Sequence, residues 1–184
     1  MGFHTFDPAG AERLEDPGRY HWCSAEELLT LVAPHEGATV ADLGSGTGFY
    51  TDDVARVAGT VHAVDVQPEM HAVYEDDGVP ENVRLVTAEV AGLPFEDNAL
   101  HAAFSTMTYH EFAGEPAMAE LARVIRPGGR LVTVDWSRDG SQRSGPPLAE
   151  RHDLGHAVAA KAAAGFTVDH AVSRTETFVC RARR

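Results

Sequence analysis

The sequence predicts an α/β fold: a doubly wound, seven-stranded, mostly parallel sheet with one antiparallel strand and helices on both faces. Three observations carry that expectation. Short apolar runs alternate with helical segments across residues 38–136, joined by links of a few residues. A glycine loop, Gly44-Ser-Gly-Thr-Gly48, follows the first run and opens a helix. Two last runs, Phe166–Val172 and Thr175–Cys180, are close enough in sequence to pair antiparallel.

The elements follow in order. Asp7-Pro8 reads as the cap and first residue of a short helix. Ser24-Ala-Glu-Glu27 has capping-box spacing ahead of Leu28, Leu29, Leu31 and Val32, so a helix runs to about Ala33, with Pro34 and Gly37 ending it. Ala38–Leu43 is a strand, Phe49–Val57 a helix, Val61–Val64 a strand closing at Asp65, and Gln67–Tyr74 a helix with Pro68 near its start. Val83–Val86 and Leu100–Ser105 are strands. Pro116–Ile125 is a helix that Pro127-Gly128-Gly129 stops, and Arg130–Trp136 alternates as a strand. Residues 138–147 are loop, and Leu148–Ala164 reads as one helix. Residues 1–24 form an N-terminal lid or extension, and residues 25–184 one domain.

Composition narrows the function. The chain has 184 residues, 43% of them apolar, which suits one globular domain. Its formal charge is −13, which argues against tight binding to nucleic acid, where phosphate neutralisation supplies most of the affinity. Residues 1–100 carry −15 and residues 101–184 carry +2. Lys161 is the only lysine beside 14 arginines, a bias pointing to a halophilic or GC-rich source whose self-repulsion salt would screen. Cys23 and Cys180 could make at most one bridge, which fits a reducing, cytoplasmic compartment. Met1–Gly10 has no signal-peptide core, and no stretch reaches the ~18 apolar residues of a membrane span.

In a doubly wound sheet, ligands sit beyond the carboxyl ends of the strands. The loop there reads G-x-G-x-G: counted from Gly44, the third glycine of a dinucleotide fingerprint falls on Phe49. Asp42 precedes it, and Asp52 and Asp53 lie in the first helical turn. These acids would repel a diphosphate but suit a cationic amino group or sulfonium. Asp65, at the end of the second strand, can accept two hydrogen bonds from a ribose diol.

With DLGSGTG at 42–48, Asp65, the segment EVAGLPFEDN at 89–98 and Arg126-Pro-Gly-Gly129, the chain resembles the class I S-adenosylmethionine-dependent methyltransferases over residues 25–184. The LPFEDN stretch resembles the small-molecule branch that includes the ubiquinone/menaquinone-biosynthesis enzymes. The resemblance implies a Rossmann-like sheet and S-adenosylmethionine as cofactor. It implies a cofactor site of Asp42, Gly44, Ser45, Gly46 and Gly48 for the methionine part, Asp65 and Val66 for the ribose, Ala88, Glu89 and Val90 around adenine, and Ser105. Two positions depart from the family: Glu89 stands where Asp is usual, and Leu100-His101 where Phe-Asp is usual.

The loop Thr106–Phe112 lies, by the same resemblance, beside the transferable methyl group. Tyr109, His110 and Glu111 are the candidate catalytic residues: an aromatic wall, a base for a protonated acceptor, and a carboxylate. His110 could instead be a half-buried histidine bonded to backbone, and Glu111 a solvated acid. Asp135 and Trp136 end the fifth strand facing the pocket, where Trp136 is either substrate wall or core. Arg138 and Arg143 border the opening and would suit an anionic acceptor. Phe3, Phe6, Tyr20 and Trp22 could pack over a ligand, against the body or against a second subunit. His152 and His156, four apart on one predicted helix face, have no partner carboxylate in a zinc pattern, and no metal is expected.

The leading expectation is a methyltransferase acting on a small-molecule acceptor, monomeric or homodimeric, with no nucleic-acid or membrane partner. The alternatives are a cofactor-binding regulatory module without turnover, and a nicotinamide oxidoreductase, which Phe49 disfavours.

Overall fold

The computed structural model describes residues 8–184. Phe3, Phe6 and the proposed cap Asp7 lie outside the described residues. A 3-10 helix starts at Pro8 and runs to Glu15, and a second spans Pro17–His21. The first α-helix, α1 (Ala25–Val32), starts where the capping box places it, with Ser24 Oγ accepting the Glu27 N–H at 3.2 Å. Strand β1 (Thr39–Leu43) leads into α2 (Phe49–Ala55), β2 (Thr60–Asp65) into α3 (Pro68–Asp77), and β3 (Val83–Thr87) into β4 (Leu100–Thr106). A single turn, α4 (Tyr109–Phe112), precedes α5 (Glu115–Val124) and β5 (Ile125–Trp136). The chain closes with α6 (Leu154–Ala163), β6 (Thr167–Ser173) and β7 (Thr177–Arg183).

The seven strands are ordered β3-β2-β1-β4-β5-β7-β6. All neighbours pair parallel except β7, which runs against both β5 and β6. Residue parity sends side chains to two cores, as strand geometry requires. Val40, Phe104, Val132 and Val134 join Leu28, Val54 and Tyr74 on the α1–α2–α3 face. Ala41, Leu43, Ala103 and Leu131 join Leu121, Val124 and Ala157 on the α5–α6 face. Cys23 and Cys180 are both buried and free. Among the described residues, no helix is long and apolar enough to cross a membrane.

Three expectations need correction. Arg126–Gly129 does not separate helix from strand: β5 follows α5 directly, and its register against β4 shifts between Leu100 and Ala102. A Cβ on Gly129 would lie 2.8 Å from Arg126 O and 3.0 Å from His101 O, so only glycine lets the strand pass there. The predicted helix Leu148–Ala164 is a 3-10 turn, Leu148–Glu150, then an extended break, then α6. The break holds Arg151, whose fully buried guanidinium serves the loop carbonyls of Pro146 (2.8 Å), Ser137 (3.3 Å) and Ser144. His152 therefore stands outside the helix, bridged to Ser137, with its ring stacked 3.9 Å from that of His156. Among the described residues, no group of three or more His, Cys, Asp or Glu could hold a metal.

Candidate active site

The strand order reverses between β1 and β4, and a cavity of about 940 Å³ opens there beyond the carboxyl ends of β1 to β5. Of the expected cofactor residues, Gly44, Ser45, Gly46, Asp65, Val66, Ala88, Glu89 and Val90 line it. Asp65 shapes the loop: one oxygen accepts the Gly46 N–H at 2.8 Å and the other the Gln67 N–H at 2.9 Å. Gly44 and Ser45 N–H both donate to Val64 O. At Gly44 (φ +76°) a Cβ would run into the Thr108 side chain, so the loop after β4 closes on the glycine loop.

Asp42, Gly48 and Ser105 do not line the cavity. Asp42 is 1% exposed beneath the loop. One of its oxygens accepts from Thr51 Oγ1 at 2.7 Å, and the other has no partner among the described residues. Burial pushes its pKa up to about 7, against the Thr51 bond and Arg19, which pull it down. Gly48 (φ +95°) packs under the Tyr74 ring, whose hydroxyl bonds Asp52. Ser105 is fully buried at the end of β4.

His110 and Glu111 line the cavity, whereas Tyr109 is fully buried in the α5–α6 core against Phe112 and Phe178, its ring 4.8 Å from Lys161 Nζ. His110 is fixed by Asp135. Its backbone N–H donates to Asp135 Oδ2 at 2.7 Å, and its Nδ1 lies 3.0 Å from both carboxylate oxygens. Asp135 also accepts the Trp136 N–H at 2.7 Å. An acceptor-only carboxylate assigns the proton to Nδ1 and leaves Nε2, 3.9 Å from Glu111 Oε1, free. Burial lowers the His110 pKa, but the Asp135 bond and the charges of Asp135, Glu111 and Glu150 outweigh it, so the net shift is upward. Burial pushes Glu111 up to about 7, opposed by His110 and reinforced by Asp65 and Asp135.

The sequence missed the cavity's cations. Arg138 and Arg143 do not line it; Arg138 instead donates to Arg151 O at 2.9 Å. Arg13 and Arg19, from the N-terminal segment, do line it, with Leu14 and Trp22. Tyr20 packs on Phe49 and bonds Asp53 Oδ2 at 2.7 Å. Tyr50 Oη donates toward Arg19 O and Cys23 O, each at 3.0 Å, and Glu15 accepts from Thr47 in the glycine loop. The Arg19 guanidinium lies 5.0 Å from the Phe49 ring centre and bonds Leu14 O at 2.7 Å. Trp136 is cavity wall, its ring centre 5.0 Å from that of Trp22.

A family model described as a methyltransferase domain matches residues 41–133. An uncharacterised methyltransferase of Mycobacterium tuberculosis is 38% identical over 140 residues, 70% of this chain and 56% of that protein. A ubiquinone/menaquinone biosynthesis C-methyltransferase of Stutzerimonas stutzeri is 31% identical over 122 residues, 62% of this chain and 48% of that protein. The chain thus spans about half the length of these curated relatives. The crystal structure of a SAM-dependent methyltransferase from Aquifex aeolicus superposes with a TM-score of 0.87 at 30% identity, over 97% of this chain and 98% of that one. With the fold, the loop and the strand-end acid in place, the chain belongs to the class I S-adenosylmethionine-dependent methyltransferases.

Proposed function

We propose that the protein transfers a methyl group from S-adenosylmethionine to a small-molecule acceptor whose attacking atom carries a proton. The observation that supports this is one cavity joining the Gly44–Gly46 loop and Asp65 to the His110–Asp135 pair. The residues present fit the cofactor: Ser45, a cavity residue, has a buried Oγ with no partner among the described residues, and Asp65 keeps lone pairs beyond its two backbone bonds. In this reading the Gly44–Gly46 loop and Ser45 hold the methionine part, Arg19 its carboxylate, Asp65 and Val66 the ribose, and Ala88, Glu89 and Val90 the adenine. Asp42, Gly48 and Ser105 support the loop and strand ends from beneath.

When bound, the cofactor supplies an electrophilic methyl group on a sulfonium. The protein's task is alignment, dryness and one proton. Trp22, Met107, Phe112 and Trp136 exclude water, with residues 8–23 as the lid. Asp135 holds the imidazole so that Nε2 faces the acceptor and takes its proton, and Glu111 stabilises the resulting imidazolium. Tyr109 acts only by packing α4 in place.

Transfer of labelled methyl to a panel of phenols, amines and thiols tests this. His110→Gln should lower kcat about 10²–10⁴-fold on the responding acceptor with S-adenosylhomocysteine affinity unchanged. Cofactor binding without transfer to any acceptor would instead favour a regulatory module.

A further inference from the structure

A second cleft, of about 200 Å³, lies at the opposite end of the sheet, at the amino ends of β1, β4 and β5 and the carboxyl end of β7. Its polar lining side chains are His35, His101, Arg126, Arg130 and Arg183. Every one is a donor. His101 Nδ1 accepts the Thr39 N–H at 3.1 Å, and His35 Nδ1 accepts the Gly37 N–H at 3.2 Å. Each imidazole therefore carries its proton on Nε2. Arginine has donors only. Arg130 gives one nitrogen to the last carbonyls of α1, Leu31 O at 2.9 Å and Thr30 O at 3.4 Å. Arg183 pairs with Asp169 at 2.7 Å, a carboxylate it shares with Arg181 and which does not line the cleft. Among the described residues, the Arg126 guanidinium has no hydrogen-bond or ion-pair partner.

In a chain of net charge −13, a cleft lined by three arginines and two histidines, with no acidic lining residue among the described residues, is an exception to the overall field. Two side chains that methyl transfer does not use, His101 and Arg126, meet there. An aspartate at 101 could also accept the Thr39 N–H, but it would place an anion in the cleft. His101 keeps the acceptor and removes the charge.

We infer that this cleft binds a phosphate-like oxyanion, free or carried as a monoester by a small metabolite. Donors reach it from the α1–β1 link and from the ends of β4, β5 and β7, which suits a tetrahedral group whose oxygens all accept. The volume takes such a group and several waters, at ~30 Å³ per water. The net negative charge works against an extended polyanion.

The test is an NMR titration of the histidine ring signals with inorganic phosphate and, separately, with glycerol phosphate, each against sodium chloride at matched ionic strength. The expected result is saturable movement of the His35 and His101 rings, absent with chloride. Arg126→Gln should weaken it about tenfold, because charge-assisted bonds exceed 1.4 kcal/mol. Arg126 is exposed and caps no helix, so the variant should fold, and unchanged amide spectra outside the cleft check this. Saturation by inorganic phosphate identifies the free anion, and saturation by the monoester alone identifies the esterified group. Non-saturating shifts with both, equal shifts with chloride, or an unchanged curve in Arg126→Gln would overturn the inference. None of these readouts depends on methyl transfer.

Discussion

Asp42→Asn should make the protein's stability less dependent on pH, because Asp42 is an acid buried in the wrong charge state. It is 1% exposed, one oxygen is unpartnered, and burial raises its pKa from an ordinary 3.8 to about 7. The folded state therefore holds this proton more tightly than the unfolded state does. Below the ordinary pKa both states are protonated and nothing is lost. As pH rises toward 7 the unfolded chain ionises first, and the fold loses stability until both states are ionised. At ~1.4 kcal/mol per pKa unit, the loss reaches about 4 kcal/mol above pH 7. An amide in place of the carboxyl escapes it. Urea unfolding followed by tryptophan fluorescence, from pH 4 to 8, measures both proteins. The stability of Asp42→Asn minus that of the wild type should grow by about 4 kcal/mol over the range and level off near pH 7. A fixed offset from the amide's extra donor does not alter that slope. A difference independent of pH would refute the reasoning.

Lys161→Met works on the opposite sign. Burial pulls the ammonium down to about 8, although it donates to Thr133 Oγ1 at 2.9 Å. The penalty is present below pH 8 and fades between pH 8 and 10.5, so the variant's advantage in urea unfolding, about 3 kcal/mol, should shrink over that window. Gly48→Ala should destabilise by about 1–3 kcal/mol in the same assay, because its Cβ falls on the Tyr74 ring and its φ is +95°. Asp135→Asn removes the charge and weakens the bond that raise the His110 pKa, so the rise in methyl-transfer rate with pH should move to lower pH and reach a lower plateau. A pH–rate profile superimposable on the wild type would separate Asp135 from the chemistry.

The parts legible in the sequence are those with local causes. The glycine loop, Asp65 at its strand end and the Ser24 cap lie where short-range patterns put them. The strand order adds only the rule that a glycine loop between strand and helix marks the switch point. Much of what escaped the sequence depends on contacts far apart in the chain. The His110–Asp135 pair spans 25 residues and exists because α4 and the end of β5 meet. Arg19 reaches the cavity because Tyr20 bonds Asp53, 33 residues on, an arrangement without periodicity to announce it. Tyr109 reads as a loop aromatic beside His110, but one helical turn carries it into the core. Arg151 breaks a stretch that reads as continuous helix, because burying its guanidinium against loop carbonyls outweighs helix propensity.

Calorimetric titration of S-adenosylhomocysteine into the wild type and Asp65→Ala tests the central claim most directly. The account predicts one saturable site in the wild type, weakened about tenfold or more by Asp65→Ala through loss of the carboxylate that shapes the loop and receives the ribose. No binding to the wild type, or equal affinity in the two proteins, would contradict it.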